Sequence, residues 1–375
     1  MKESLTLQEF YRREERKKGS FKKYGVFILF VLPFLLAFLV FFVYPLFYGI
    51  YISFTQYKLS YPGQETFVGL RWYQVLFNPH YKINGKVPMF KYYDSFWRAF
   101  FHTVIFAIIM VPIAIIVPLA LAILINYKPP GFKLFRCLVY LPSIVPLSCA
   151  GAIFVMLFNP KDTAGVLATL FPNTIFDNVK WFTQTWFSFS INGSVYNVAY
   201  AWIPIFCMCF WGGWGGNFII LSAGLENVPR SLYEASSVDG CSRRHKIIYV
   251  TIPNIKGQLV LCLFTTIIGY MGLYGQNYVL LGGGPFTATT LNGAPAWGDT
   301  STLLYYIQAI VDGSNAQLQS SFYGLASAAS IVYALFVGIF TGIQQYATRD
   351  RKSGFKISEG YSKWKKIAQS KTANN

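Results

Sequence analysis

The residues of this 375-residue chain best suited to chemistry lie close together in one polar run. Between Ser231 and Pro253 stand Glu234, Asp239, Arg243, Arg244, His245 and Lys246, interleaved with serines and a glycine. Such a run can dock a partner, but it lacks the parts of a catalytic centre. His80, His102 and His245 are far apart in sequence, and the six cysteines (Cys137, Cys149, Cys207, Cys209, Cys241, Cys262) lack the paired spacing of a zinc site or a disulfide framework. No G-x-x-x-x-G-K-[ST] loop and no H-E-x-x-H occur. The expectation is a chain that is not an enzyme, with no catalytic residue, no metal and no cofactor of its own.

Local signals give the polar run a shape. Ser231 with Glu234 spells an S-x-x-E capping box, so a helix is expected to begin at Ser231, with Pro229 discouraging an earlier start. Gly240 tolerates the left-handed conformation that reverses a chain after a helix, and Ser242 can cap a second helix running towards Pro253. Ser231, Glu234, Ala235 and Val238 follow i, i+3, i+4, i+7 spacing and share one face, small at its centre and carrying a carboxylate. That face suits either a shallow protein groove or the membrane surface.

The elements that must carry this run are apolar. The composition is 54% hydrophobic and 13% charged, and Tyr24 to Tyr57 contains no charged side chain, more than the roughly 20 residues needed to cross a bilayer. Six such stretches, near 25–52, 100–126, 135–158, 197–224, 257–281 and 323–346, predict an all-α polytopic membrane protein with six transmembrane helices. A basic segment, 1–23, precedes the helical domain of 24–346, and a basic tail, 347–375, follows it. Lys and Arg number 8 before the first span, 3 between the second and third, 5 between the fourth and fifth, and 8 after the sixth. Those segments hold 24 of the 32 basic residues, so the positive-inside rule puts both termini and the Ser231 loop in the cytoplasm. The formal charge of +17 is thereby read as topology and contact with membrane lipid, with no need for nucleic acid.

Prolines inside the spans, among them Pro112, Pro118, Pro142, Pro146 and Pro204, each remove a helical hydrogen bond that a neighbouring helix must replace. The span cores carry no Asp, Glu, Lys or Arg, whereas proton relays and many ion-coupled carriers bury such groups. The alternative of an ATP-independent secondary carrier or channel lacks that support.

Glu234-Ala235-Ser236-Ser237-Val238-Asp239-Gly240-Cys241, followed by Ile252-Pro253, resembles the E-A-A-x-x-D-G-A … P signature of permease subunits of bacterial binding-protein-dependent ABC importers. Ser236 and Cys241 replace two alanines with small residues. Phe67-Val68-Gly69-Leu70-Arg71-Trp72-Tyr73, Gly282-Gly283-Gly284-Pro285 and the Tyr323–Ser330 opening of the sixth span are similar to the carbohydrate branch, in particular the larger maltose permease subunit. Insertions depart from that pattern around 78–95, 162–192 and 286–321.

The resemblance implies an importer-permease core in the inner membrane of a bacterium. Its implied partners are a second homologous permease subunit, two ATPase subunits that bind ATP and Mg, and an extracytoplasmic sugar-binding protein. It also implies that Ser231, Glu234, Ala235, Ser236, Asp239, Gly240 and Pro253 form the ATPase-coupling element, Glu234 making the polar contact and Gly240 setting the elbow. A sugar site should combine aromatic platforms with uncharged hydrogen-bonding groups. Trp211 and Asn217 in the fourth span and Tyr270, Tyr274, Gln276 and Asn277 in the fifth are the expected substrate path, with Tyr270, Tyr274 and Asn277 at i, i+4, i+7.

Overall fold

The structure is a computed structural model; it describes residues 28–57, 63, 65–83, 87–88, 90–160, 165–191, 194–281, 298–312 and 322–348. The basic segment 1–23, Gly282 to Pro285 and the tail beyond Thr348 lie outside the described residues. Among the described residues, four helices are long and apolar enough to cross a bilayer: Ile28–Ser53, Tyr92–Asn126, Trp202–Glu226 and Tyr323–Tyr346. Two bent pairs complete the set: Phe132–Ile144 with Leu147–Phe158, at 95°, and Arg243–Asn254 with Lys256–Met271, at 72°. Counting each pair as one broken span gives six. The first span leaves Phe30 and Phe41 81% and 80% exposed, a surface that water would not tolerate over a whole helix but a bilayer or a partner helix would.

The breaks have local causes. In the third span Val145 is extended, with φ −67° and ψ 125°, the conformation that the ring of Pro146 imposes on its predecessor. In the fifth, Ile255 leaves the helix at φ −100° and ψ 14°, and the span stops again at Met271 before resuming as Gly275–Leu281. The expected continuous helix over 257–281, and with it the single face of Tyr270, Tyr274 and Asn277, is therefore corrected. Gly269, Gly272 and Gly275 weaken the helix there, and the hydroxyl of Thr302 donates to the carbonyl of Leu273 at 2.5 Å, satisfying backbone that the break exposes.

Two boundaries also differ from expectation. The second helix starts at Phe90, its first turns carrying Asp94 and Arg98 that interrupt the apolar pattern. The fourth starts at Trp202, because Ser194–Ala199 pairs with Thr185–Ile191 as an antiparallel hairpin. Only two-stranded pairs of this kind accompany the helices among the described residues.

The chain divides into two compact units. In the first (Met1–Trp97, Thr290–Pro295, Tyr306–Val332), Trp72 is almost fully buried and its indole N–H donates to the Thr55 carbonyl at 2.8 Å. Phe322 meets the Trp72 ring edge-on, and a side chain at Gly324 would collide with Trp72 and the Thr55 carbonyl. Tyr306, also buried, donates its hydroxyl to the Tyr92 carbonyl at 3.2 Å; burial raises its pKa well above the ordinary phenol value.

In the second unit (Arg98–Thr289, Ala296–Tyr305, Tyr333–Asn375), described residues pack into separate hydrophobic clusters. Phe106, Met110, Phe154, Ile205, Met208 and Met271 pack in one. Phe218, Leu221, Leu225, Val228, Ile255 and Cys262 pack in another. Val228 and Ile255 flank the polar run on either side, so both ends of that run are fixed in packed structure.

Candidate functional site

The polar run folds as two helices about a glycine elbow. The first is Arg230–Val238, preceded by Pro229 with no side-chain cap. The expected Ser231 capping box is thus corrected: the Leu232 N–H already reaches the Pro229 carbonyl at 3.2 Å, so helical geometry starts at Arg230 and Ser231 lies inside the helix. The C-terminus matches expectation. Gly240 has φ +71°, its N–H donates to Ser237 O (3.2 Å), and the Cys241 N–H donates to Ser236 O (3.0 Å). These are the paired 5→2 and 6→1 bonds of a Schellman motif, in which the left-handed position excludes most side chains.

Ser242 then caps the second helix, its hydroxyl accepting from the His245 N–H at 3.5 Å. The helix runs on through a π-turn, Ile247–Thr251, to Asn254, with Pro253 exposed near its end. Two side-chain bonds close the elbow: the hydroxyls of Tyr233 and Thr251 lie 3.1 Å apart, and Lys246 Nζ donates to Ser237 Oγ at 2.7 Å. Each is worth on the order of 1 kcal/mol. The outward face is the one expected: Ser231, Glu234, Ala235 and Val238 are exposed. Ser236 departs from it, being buried with its hydroxyl on the Tyr233 carbonyl. Asp239, also exposed, is the C-cap. Just upstream, Arg136 at the start of the third span pairs with Glu226, the last residue of the fourth.

The six side chains expected on a substrate path separate into two groups. Asn217, Tyr270 and Asn277 are buried and hydrogen-bonded. The Asn217 amide donates to Ala114 O and to Thr266 Oγ1, each at 2.8 Å; Tyr270 donates to Cys209 O at 3.4 Å; Asn277 bonds Thr300. Trp211, Tyr274 and Gln276 are half-buried, Trp211 against Phe154 and Tyr274 stacked with Tyr278 and Tyr305. Trp214, one turn beyond Trp211, holds its indole N–H away from solvent with no acceptor among the described residues; an unpaired donor of this kind cannot be read from sequence.

Sequence reading also missed the buried polar segment Asp299–Thr302. Besides Asn277, it meets His102, whose Nδ1 donates to Ser301 O at 3.0 Å, and Asn197, which donates to Asp299 at 3.4 Å. Its signal in the sequence is slight: between Gly282 and Phe322 the charged side chains are Asp299 and Asp312.

Residues 88–353, most of the chain, match the family described as binding-protein-dependent transport system inner membrane component. The chain belongs to that family. This is the family the Glu234–Gly240 signature resembles, and it accounts for the multi-pass apolar architecture. Among its relatives, the arabinooligosaccharides transport system permease protein AraP of Bacillus subtilis is 32% identical over 67% of this chain and 71% of its own length. The lactose transport system permease protein LacF of Rhizobium radiobacter is 30% identical over 68% and 77%. A solved structure of a bacterial alginate ABC transporter in complex with alginate pentasaccharide-bound periplasmic protein has the same fold, with a TM-score of 0.65 at 20% identity over 89% of this chain and 98% of that one.

Proposed function

We propose that this family member is one permease subunit of an ATP-driven importer for a sugar or oligosaccharide in the inner membrane of a bacterium. The carrying observation is the elbow. It presents an exposed, small-centred face with Glu234 and Ala235, it is closed by its own hydrogen bonds, and both of its ends enter the same packed core. A rigid attachment of this kind passes displacement of the helix to the fourth and fifth spans, whereas a loosely tethered loop would absorb it. The basic residues on its side support a cytoplasmic location for it and both termini.

The force is supplied by two separate ATPase subunits that bind ATP and Mg. Their closure moves this helix and its counterpart on a second permease subunit, and the cavity between the permeases alternates between inward and outward access. An extracytoplasmic binding protein delivers the sugar. A carbohydrate substrate is supported by the relatives named for arabinooligosaccharides and lactose. Within this subunit Trp211, Trp214, Tyr274 and Gln276 face the substrate, while Asn217, Tyr270 and Asn277 hold helices in place.

Reconstitution of the complete complex in proteoliposomes tests this. Uptake of a labelled oligosaccharide should require internal ATP and external binding protein, with none from this subunit alone. Sugar flux through the subunit alone, insensitive to ATP, would instead establish the secondary-carrier reading.

A further inference from the structure

Near the elbow, a cavity of about 330 Å³ lies between the opening helix of the third span, Phe132–Tyr140, and the last turns of the fourth, Trp202–Glu226. Its size is at the lower end of small-molecule sites, which run from about 300 to 1,000 Å³. Arg136, Cys137 and Tyr140 line it from the third span, and Phe218, Ser222 and Glu226 from the fourth. Two of these side chains carry polar atoms that the fold leaves unserved. Arg136 Nε–H and the Ser222 hydroxyl are buried, and neither has a hydrogen-bond partner among the described residues. Buried groups of this kind are costly unless something pairs with them. They come from the two helices that bound one cavity, so a single bound molecule can serve both.

The charges narrow the class of that molecule. Arg136 and Glu226 are the charged residues of the lining, and they already pair with each other through Arg136 Nη2. An anion would meet the Glu226 carboxylate and a cation the guanidinium, so neither gains a net attraction. A hydrocarbon would leave both orphaned groups unmet. A neutral molecule rich in hydroxyls fits. Each hydroxyl donates and accepts, so one can accept from Arg136 Nε–H while another bonds Ser222. Tyr140, 37% exposed, offers a ring to the apolar side of a sugar.

We propose that this cavity is a second sugar site, through which sugar already released into the cytoplasm slows further import. Glu226 ends the fourth span and Arg230 begins the elbow helix, so a molecule bridging Arg136 and the fourth span restrains the root of that helix. The proposal rests on the proposed importer function.

Cys137, an exposed free thiol in the lining, reports occupancy without any transport. In the assembled importer in detergent, N-ethylmaleimide should label it, read by mass spectrometry of its peptide. Arabinotriose or lactose should slow that labelling severalfold, and inorganic phosphate should not. Ser222→Ala should raise the sugar concentration for half-protection about fivefold, the loss of one hydrogen bond. A Cys137 that neither sugar protects, that phosphate alone protects, or that is unreactive because the second permease covers it would overturn the site. In proteoliposomes, the protecting sugar loaded inside should lower its own uptake severalfold, and Ser222→Ala should need about five times more of it for the same inhibition. Inhibition that is absent, or identical in the variant, would overturn the feedback. Uptake into vesicles free of internal sugar tests the importer function separately.

Discussion

The side-chain amide of Asn217 donates to the carbonyl of Ala114 at 2.8 Å, the carbonyl whose helical partner would be the N–H that Pro118 does not have. An amide expected on the substrate path thus repairs the second span from the fourth, with its other hydrogen on Thr266. In a bilayer core, with no water to take over, such a replacement is what allows an internal proline.

Asn217→Leu should therefore destabilise the assembled protein by about 1 kcal/mol, the scale of buried bonds in membrane helices. Pro118→Ala restores the helical N–H, so it should recover much of the loss. A double-mutant cycle in denaturant unfolding measures the coupling. Purely additive effects, with a raised transport KM for Asn217→Leu alone, would return Asn217 to the substrate path.

Gly240→Ala should strain the elbow without a clash, because nothing lies within 4 Å of a Cβ placed there and the cost comes from φ +71° alone. The expected penalty is about 1–2 kcal/mol. It should appear as faster hydrogen exchange at the Gly240 and Cys241 amides, which make the two terminal bonds, and as reduced ATP-coupled uptake in a complex that still assembles. Unchanged exchange would contradict the strain.

Gly324→Ala acts in the other unit. A methyl group there meets the Trp72 indole and the Thr55 carbonyl, and overpacking of this type costs about 1–3 kcal/mol. Thermal unfolding of the purified subunit should shift downwards, and the fluorescence of buried Trp72 should change with it. An unaltered midpoint would show that the Trp72 contact is not tight.

Much of this was legible in the residues. Charge-free runs located the six spans, Gly240 and Ser242 announced the elbow, and the i, i+3, i+4, i+7 pattern gave its outward face. What was not legible depended on distant partners. Ser231 looked like an N-cap because its spacing to Glu234 is right, yet the carbonyl of Pro229 had already started the helix. Tyr270, Tyr274 and Asn277 share a face only on an unbroken helix, and the break after Met271 is satisfied by Thr302, 29 residues beyond its acceptor Leu273. The hairpin of Thr185–Ile191 with Ser194–Ala199 overlaps the expected fourth span only at 197–199, and its pairing depends on both strands at once.

Glu234 is exposed and makes no capping bond in the Arg230–Val238 helix. Glu234→Gln should therefore leave folding and assembly intact while lowering binding-protein-stimulated ATP hydrolysis and uptake together, by about tenfold if one charge-assisted contact is lost. Normal uptake would remove Glu234 from the contact.

The central claim, that the Arg230–Val238 helix is where an ATPase acts, is tested most directly by Ala235→Cys. Ala235 is small, exposed and at the middle of the outward face. In the assembled importer, with single cysteines placed around the ATPase cleft, oxidation should give a disulfide-linked permease–ATPase pair whose yield changes when ATP is added. No cross-link from Cys at 235 to any cleft position, in complexes active before oxidation, would contradict the account.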